Sequence, residues 1–260
     1  MSSFQQTPIV LVHGILGFDR LGLPDSPISY FRGIAKALSA AGYTVPEPPT
    51  LNFAGSVKER AADLQEYLEN NEAVQGRQVH LIAHSMGGLD SRYTISRLGM
   101  ADRVLSLTTL GTPHGGTSIA DFGVSLLGGL LNIIDSTRLV DLHGFFDLTR
   151  RHSREFEQEG VADAESVPYF SVAGLYQPEF VSPDLLKPTH DFISLFEGEN
   201  DGLVSVTSAT FGTFLGTWPG NHFRLINWPT NLLEPVEELV DDSVVSRYLG
   251  LVQFLAEEMS

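Results

Sequence analysis

Apolar runs of strand length recur along this chain and alternate with stretches in which apolar residues return every three or four positions. Residues 7–13 (TPIVLVH) read as a buried strand, and residues 28–41, after a loop, have helical spacing. Ser56-Val57-Lys58-Glu59 has the form of a capping box, in which serine and glutamate satisfy each other's free backbone donors. Behind it Val57, Ala61, Leu64 and Leu68 fall on one helical face. Residues 78–84, 86–98 and 104–110 continue as strand, helix and strand. At Gly111-Thr112-Pro113-His114-Gly115-Gly116 the pattern breaks, and residues 117–166 read as helical but irregular. Strand alternation resumes at 167–175, residues 193–196 read as a further short strand, and 243–259 close the chain as a helix. Such alternation is the mark of βαβ units around a parallel sheet. The expectation is one α/β domain over residues 1–260, with a mostly parallel sheet flanked by helices and a helical cap inserted at about 117–166.

Composition narrows the function classes. A length of 260 residues with 42% hydrophobic content suits one large domain with a sizeable core. The formal net charge of -16 argues against nucleic acid as a partner, because phosphates demand a basic surface. The absence of cysteine excludes a disulfide framework and a thiolate metal site. No apolar stretch reaches the ~18 residues of a membrane span. The first residues, MSSFQQTPIVLVHG, have no basic start or cleavage site and run straight into a strand. The expected location is the cytoplasm, or outside the cell if an export signal lies outside this sequence.

The chemistry is signalled by AHSMGG, residues 83–88, at the junction of a predicted strand and a predicted helix. Glycine weakens a helix, and serine gains little from packing there. A sharp turn flanked by small residues would hold the Ser85 hydroxyl at its apex, as a nucleophile elbow does. The plainer reading is that Ser85 caps the helix that follows. A serine nucleophile needs a base, and the base needs an acid to orient it. With the order serine, acid, histidine, Asp201 in the Asn200-Asp201-Gly202 turn is the acid and His222, the only histidine after it, is the base. His190 with an earlier acid is the rival. Two backbone amides must face the oxyanion. Met86, next to the nucleophile, supplies one, and Ile15, in the loop opened by His13-Gly14, supplies the other.

The blocks PIVLVHGILGF, HLIAHSMGG, LGTPHGG, GENDGLV and GNHFRLIN together resemble the bacterial triacylglycerol lipases of family I, the Pseudomonas–Proteus type, within the α/β-hydrolase superfamily. The resemblance covers most of the chain in the right order. It implies an α/β-hydrolase fold, a Ser85–Asp201–His222 triad, and hydrolysis of lipid-like or other apolar esters through an acyl-serine. The same triad would also suit an acyltransferase or a thioesterase, and the fold a catalytically silent binding protein.

The family's calcium site is where the sequence departs. Members carry a calcium-binding aspartate two residues after the histidine, and this chain has Arg224 there. A guanidinium cannot ligate calcium, so no cofactor and no metal are expected, and Glu179 or Asp184 is expected to pair with Arg224 instead. In the cap, Phe122, Leu126, Leu130 and Ile133 fall at helical spacing and Leu127, Leu131 and Ile134 widen that face. It is read either as a fixed wall of the acyl pocket or as a mobile lid in transient contact with a lipid interface. Leu16, Phe122, Leu126, Leu127, Leu130 and Leu131 are accordingly the candidate substrate-binding residues.

Overall fold

The computed structural model describes residues 3–15, 29–131, 143–158, 163–179, 184–229 and 241–259. Strands β1 (Ile9–Val12), β2 (Val79–His84), β3 (Val104–Leu110), β4 (Tyr169–Leu175) and β5 (Thr213–Pro219) form one sheet in that spatial order. Every pair is parallel, so each connection must cross from one end of the sheet to the other. Helices α1 (Ser3–Gln6), α2 (Ile34–Ala40), α3 (Val57–Asn70), α4 (Gly87–Arg97) and α5 (Ser118–Leu131) come from the first part of the chain. Helices α6 (His143–Asp147), α7 (Arg150–Gln158), α8 (Lys187–Glu197), α9 (Val206–Ala209) and α10 (Asp242–Glu258) follow. Among the described residues, no helix is long and apolar enough to cross a membrane.

The pleat sorts the core into two layers. On β1, Ile9 and Leu11 pack with Leu38 of α2 and Tyr248 and Val252 of α10. Val10 and Val12 point the other way, toward Leu64 and Leu68 of α3 and Ile95 of α4. Both faces are covered, and for that reason the strands from β1 to β4 are largely apolar on both sides, β1 without a break. The capping box forms as expected: Glu59 N donates to Ser56 Oγ at 3.3 Å and Ser56 N donates to Glu59 Oε2 at 2.7 Å.

Two expectations are corrected and one strand is added. The helix read over 28–41 begins only at Ile34, where Gly33 (φ 73) breaks the backbone, and residues 29–33 form an irregular approach to it. The segment 193–196 is no strand but the end of α8, an 11-residue helix with a proline in its first turn and Ile193 buried. A four-residue apolar run fits either period, so neighbouring residues decide. β5 was not anticipated; it is a partly exposed edge strand containing Gly216.

Candidate active site

β2 ends at His84 and α4 begins at Gly87, leaving Ser85 and Met86 to make the turn. Ser85 has φ 56, a left-handed conformation that a non-glycine residue adopts at a cost. The surroundings hold it there. Ser85 N donates to Leu110 O at 2.9 Å, and Thr112 Oγ1 donates to Ser85 O at 2.7 Å. The loop after β1 presses against the turn: a β-carbon on Gly14 would come within 2.7 Å of Ser85 Cβ, so only glycine fits.

The candidate acid and base meet over the ends of β3 and β4. Asp201 is fully buried, and its Oδ1 accepts from the amides of Leu203 (2.9 Å) and Val204 (2.7 Å). Its Oδ2 lies 2.7 Å from His222 Nδ1. An ionised carboxylate only accepts, so Nδ1 carries the proton and Nε2 of the neutral ring is the basic nitrogen. The two loops are also joined through the backbone, with His222 N donating to Asp201 O at 2.8 Å.

The amides of Ile15 and Met86 donate to no acceptor among the described residues. The plane of the Gly14–Ile15 peptide is nevertheless fixed. Leu51 N donates to His13 Nε2 at 3.1 Å, which places the proton of the neutral ring on Nδ1. That Nδ1 donates to Gly14 O at 2.9 Å, on the same peptide as the Ile15 N–H.

Ser85 and His222 both line one cavity of about 300 Å³. Its other walls are largely apolar: Ile15, Ile119, Val124, Phe145, Leu148 and Leu203 among them. The wall from α5 is built by Ile119, Ala120, Gly123 and Val124, and Phe122 does not join it. The Phe122 side chain is 55% exposed and its ring packs at 5.4 Å from that of Phe192. Leu16 lies outside the described residues, as do the side chains of Leu126, Leu127, Leu130 and Leu131. His190 sits on α8 beside Asp191 and lines a separate groove with Tyr176, away from Ser85.

The first turn of α5 is tied down. Glu197 Oε1 accepts from Ser118 N at 2.7 Å, and its Oε2 accepts from the Ser205 hydroxyl at 2.8 Å. Arg150 Nε donates to Asp121 at 2.6 Å, and Thr117 Oγ1 donates to Leu203 O, also at 2.6 Å.

The position of the family's calcium ligand is filled by other bonds. Arg224 pairs with Asp241, which caps α10, and not with Glu179 or Asp184 as expected. Asp241 comes within reach because the chain returns there to start the last helix. Asp184 receives the Asn221 amide on both oxygens, at 3.2 and 2.9 Å. A guanidinium and an amide N–H₂ are donors, so this set of groups does not fit a calcium ion. Among the described residues, no group of three or more His, Cys, Asp or Glu side chains gathers to hold a metal.

Some supporting contacts are not readable from the sequence. Thr112 and Asn221 fall in the LGTPHGG and GNHFRLIN blocks, but their partners are set by the fold. Arg60 of α3 and Asp90 of α4 form an ion pair, and only a helix-face analysis placing both on inward positions could have paired them.

Comparison with known proteins bears on the family and the fold. Residues 7–154 match the family described as alpha/beta hydrolase fold. Triacylglycerol lipase 2 of Saccharomyces cerevisiae is 29% identical over 96% of this chain and 89% of its own length. A triacylglycerol lipase of Vibrio cholerae is 30% identical over 85% of this chain and 79% of its own. Among solved structures, the mature form of a Bacillus licheniformis lipase has a TM-score of 0.70 at 23% identity, covering 95% of this chain and 92% of that one. A metagenomic carboxyl esterase has a TM-score of 0.74 at 19% identity, covering 97% and 77%. The chain belongs to the α/β-hydrolase family and, within it, to the family of the bacterial triacylglycerol lipases. It is a serine carboxylic-ester hydrolase.

Proposed function

We propose that Ser85, Asp201 and His222 are the catalytic triad and that the amides of Ile15 and Met86 form the oxyanion hole. His222 Nε2 takes the Ser85 proton as Oγ attacks the ester carbonyl. The carbonyl oxygen becomes an oxyanion facing the two amides. As the intermediate collapses, the C–O bond to the alcohol breaks and His222 returns the proton to the leaving oxygen. Water then attacks the acyl-serine with His222 again as base, releasing the acid and restoring the serine. Asp201 keeps the imidazole in its working tautomer throughout.

The observation that carries this reading is the shared cavity. The candidate nucleophile and base border a space whose remaining walls are mostly apolar. Such a lining favours the acyl chain of a lipid-like ester over a polar acid, since apolar surface is gained from water without stranding polar groups. α5 to α7 act as its cap, within the span 117–166. No metal takes part, because the groups around the His222 loop are tied to one another.

Ser85→Ala tests the assignment. Its kcat on p-nitrophenyl esters should fall to less than about one hundredth of the parent value with the fold intact. An organophosphate should label Ser85 in the parent and nothing in the variant. Retention of activity, or labelling elsewhere, would refute the triad. Partition of product between water and an added alcohol separates a hydrolase from an acyltransferase.

A further inference from the structure

Tyr30 and His84 stand beside the candidate site and enter no step of the proposed mechanism. His84 is buried, 1% exposed, and Tyr30 is half-buried against the core beside it. Gly14 N donates to the Tyr30 hydroxyl at 3.1 Å, and that hydroxyl lies 2.7 Å from His84 Nδ1. On the far side of the same ring, His84 Nε2 lies 3.1 Å from the carbonyl oxygen of His222.

The direction of every bond in this chain follows from what each atom can do. A carbonyl oxygen only accepts, so in a neutral ring His84 Nε2 must carry the proton and donate to His222 O. Nδ1 is then bare and accepts the Tyr30 O–H, whose oxygen in turn accepts from Gly14 N. All donors and acceptors along the line are satisfied only with both side chains neutral. Burial favours that state: it raises the Tyr30 phenol well above its ordinary range and holds the His84 imidazole well below its own, with His222 pressing the same way.

The line connects three parts that catalysis needs in register. Gly14 precedes Ile15, the candidate oxyanion donor. His84 is bonded to Ser85, the candidate nucleophile. The carbonyl it grips belongs to His222, the candidate base, whose ring lies 4.5 Å from that of His84. We propose that Tyr30 and His84 are positioning residues for ester hydrolysis, a hydrogen-bonded relay that fixes the oxyanion loop and the base loop relative to the nucleophile. The proposal rests on the triad and oxyanion assignments above. Neither residue touches the reacting atoms in this role; each acts through backbone that it holds. The relay spans 54 residues between Tyr30 and His84, and 138 between His84 and His222, so local chain geometry does not secure these contacts unaided.

Three substitutions separate the ends of the line. Tyr30→Phe keeps the ring, which packs on His13 and Phe31, and removes the hydroxyl that joins Gly14 to His84. His84→Gln retains an amide donor near the Nε2 position for His222 O but offers no acceptor at Nδ1. His84→Asn does the reverse. The measurement is kcat and KM for a soluble p-nitrophenyl ester, with kcat divided by the concentration of sites titrated with an organophosphate. Tyr30→Phe should lower kcat per titrated site about 10- to 100-fold, less than outright loss of an oxyanion donor, and leave KM within about twofold. His84→Asn should lower it as well, through loss of the grip on His222, and His84→Gln should resemble Tyr30→Phe.

A packing role alone would reduce the number of titrated sites and the Tm while leaving kcat per site unchanged. Values within about twofold of the parent for both Tyr30→Phe and His84→Asn, measured on titrated sites, overturn the relay. If the parent itself is not labelled at Ser85, the site assignment fails, and the relay fails with it. These two failures are read in different proteins and cannot be confused.

Discussion

Gly111 and Asp201 approach so closely that a β-carbon on the glycine would lie 3.0 Å from Asp201 Oδ2. The same carbon would lie 3.3 Å from His222 Nδ1 and 2.8 Å from a Leu225 methyl. The Asp201–His222 hydrogen bond is thus packed directly against bare backbone at the end of β3. Gly111 also has φ 57, which costs an L residue about 1–2 kcal/mol. Gly111→Ala should lower kcat by about 10- to 100-fold, since displacement of catalytic groups by about an ångström has effects of that order. Kinetics on titrated sites would measure it, and an unchanged kcat would mean that the pair tolerates displacement.

Calcium removal should change nothing. Arg224 with Asp241, and Asp184 with Asn221, tie the His222 loop to neighbouring segments without a metal. EDTA should leave both kcat and Tm at their starting values, and added calcium should raise neither. A Tm that drops on chelation and recovers with calcium would show a metal site and overturn the expectation.

Behind the elbow, Arg60 and Asp90 form an ion pair of 2.8 Å with no exposure on either side chain. Arg60 also donates to the carbonyls of Asn52 and His13, so it braces the loop after β1. Asp90→Ala strands a buried guanidinium and should cost about 3–5 kcal/mol. The double variant Arg60→Met/Asp90→Ala should lose less than the sum of the two single losses. Urea unfolding of the three variants gives the coupling directly, and strict additivity would show that the pair contributes no coupling.

Acid should destabilise the fold through its buried histidines. His80 is 1% exposed, lies against Phe4 and Ser106, and burial lowers its imidazole from 6.5 to about 4. The unfolded chain takes up a proton in this interval while the folded chain does not. The stabilisation is therefore complete above pH 6.5, declines as pH falls, and is gone by about pH 4. A shift of this size corresponds to about 3 kcal/mol. Burial depresses His84 and His114 in the same direction. Urea midpoints between pH 7 and 4 should fall steadily, and less steeply in His80→Asn; an equal slope in that variant would assign the effect to other groups.

The hydrophobic pattern revealed the inner strands because both their faces are covered, so Val79 to His84 and Val104 to Leu110 stand out in the sequence. β5 was hidden for the opposite reason: Thr213, Phe214 and Pro219 are exposed at the sheet's edge and give no apolar run. Ser85, Asp201 and His222 were legible as candidates because elbow, turn and chain order each limit the choice. Their supports were not. The bond from His84 to His222 and the pairing of Arg224 with Asp241 depend on loops converging in space, and no local spacing encodes that.

The tethering of α5 at its first turn makes the helix a lever with a fixed fulcrum. Ser118 and Asp121 are held by Glu197 and Arg150, while the 14-residue helix extends about 21 Å to Leu131 at 1.5 Å per residue. A tilt of roughly 10° about that fulcrum would carry the far end through about 4 Å and the fulcrum hardly at all, by the same dimensions. Ile119 and Ala120 would then stay beside Ser85 whatever the angle, and the clearance above the cavity would widen with distance from it. Movement at the Leu131 end would thus leave in place the stretch of cavity wall that Ile119 and Ala120 build.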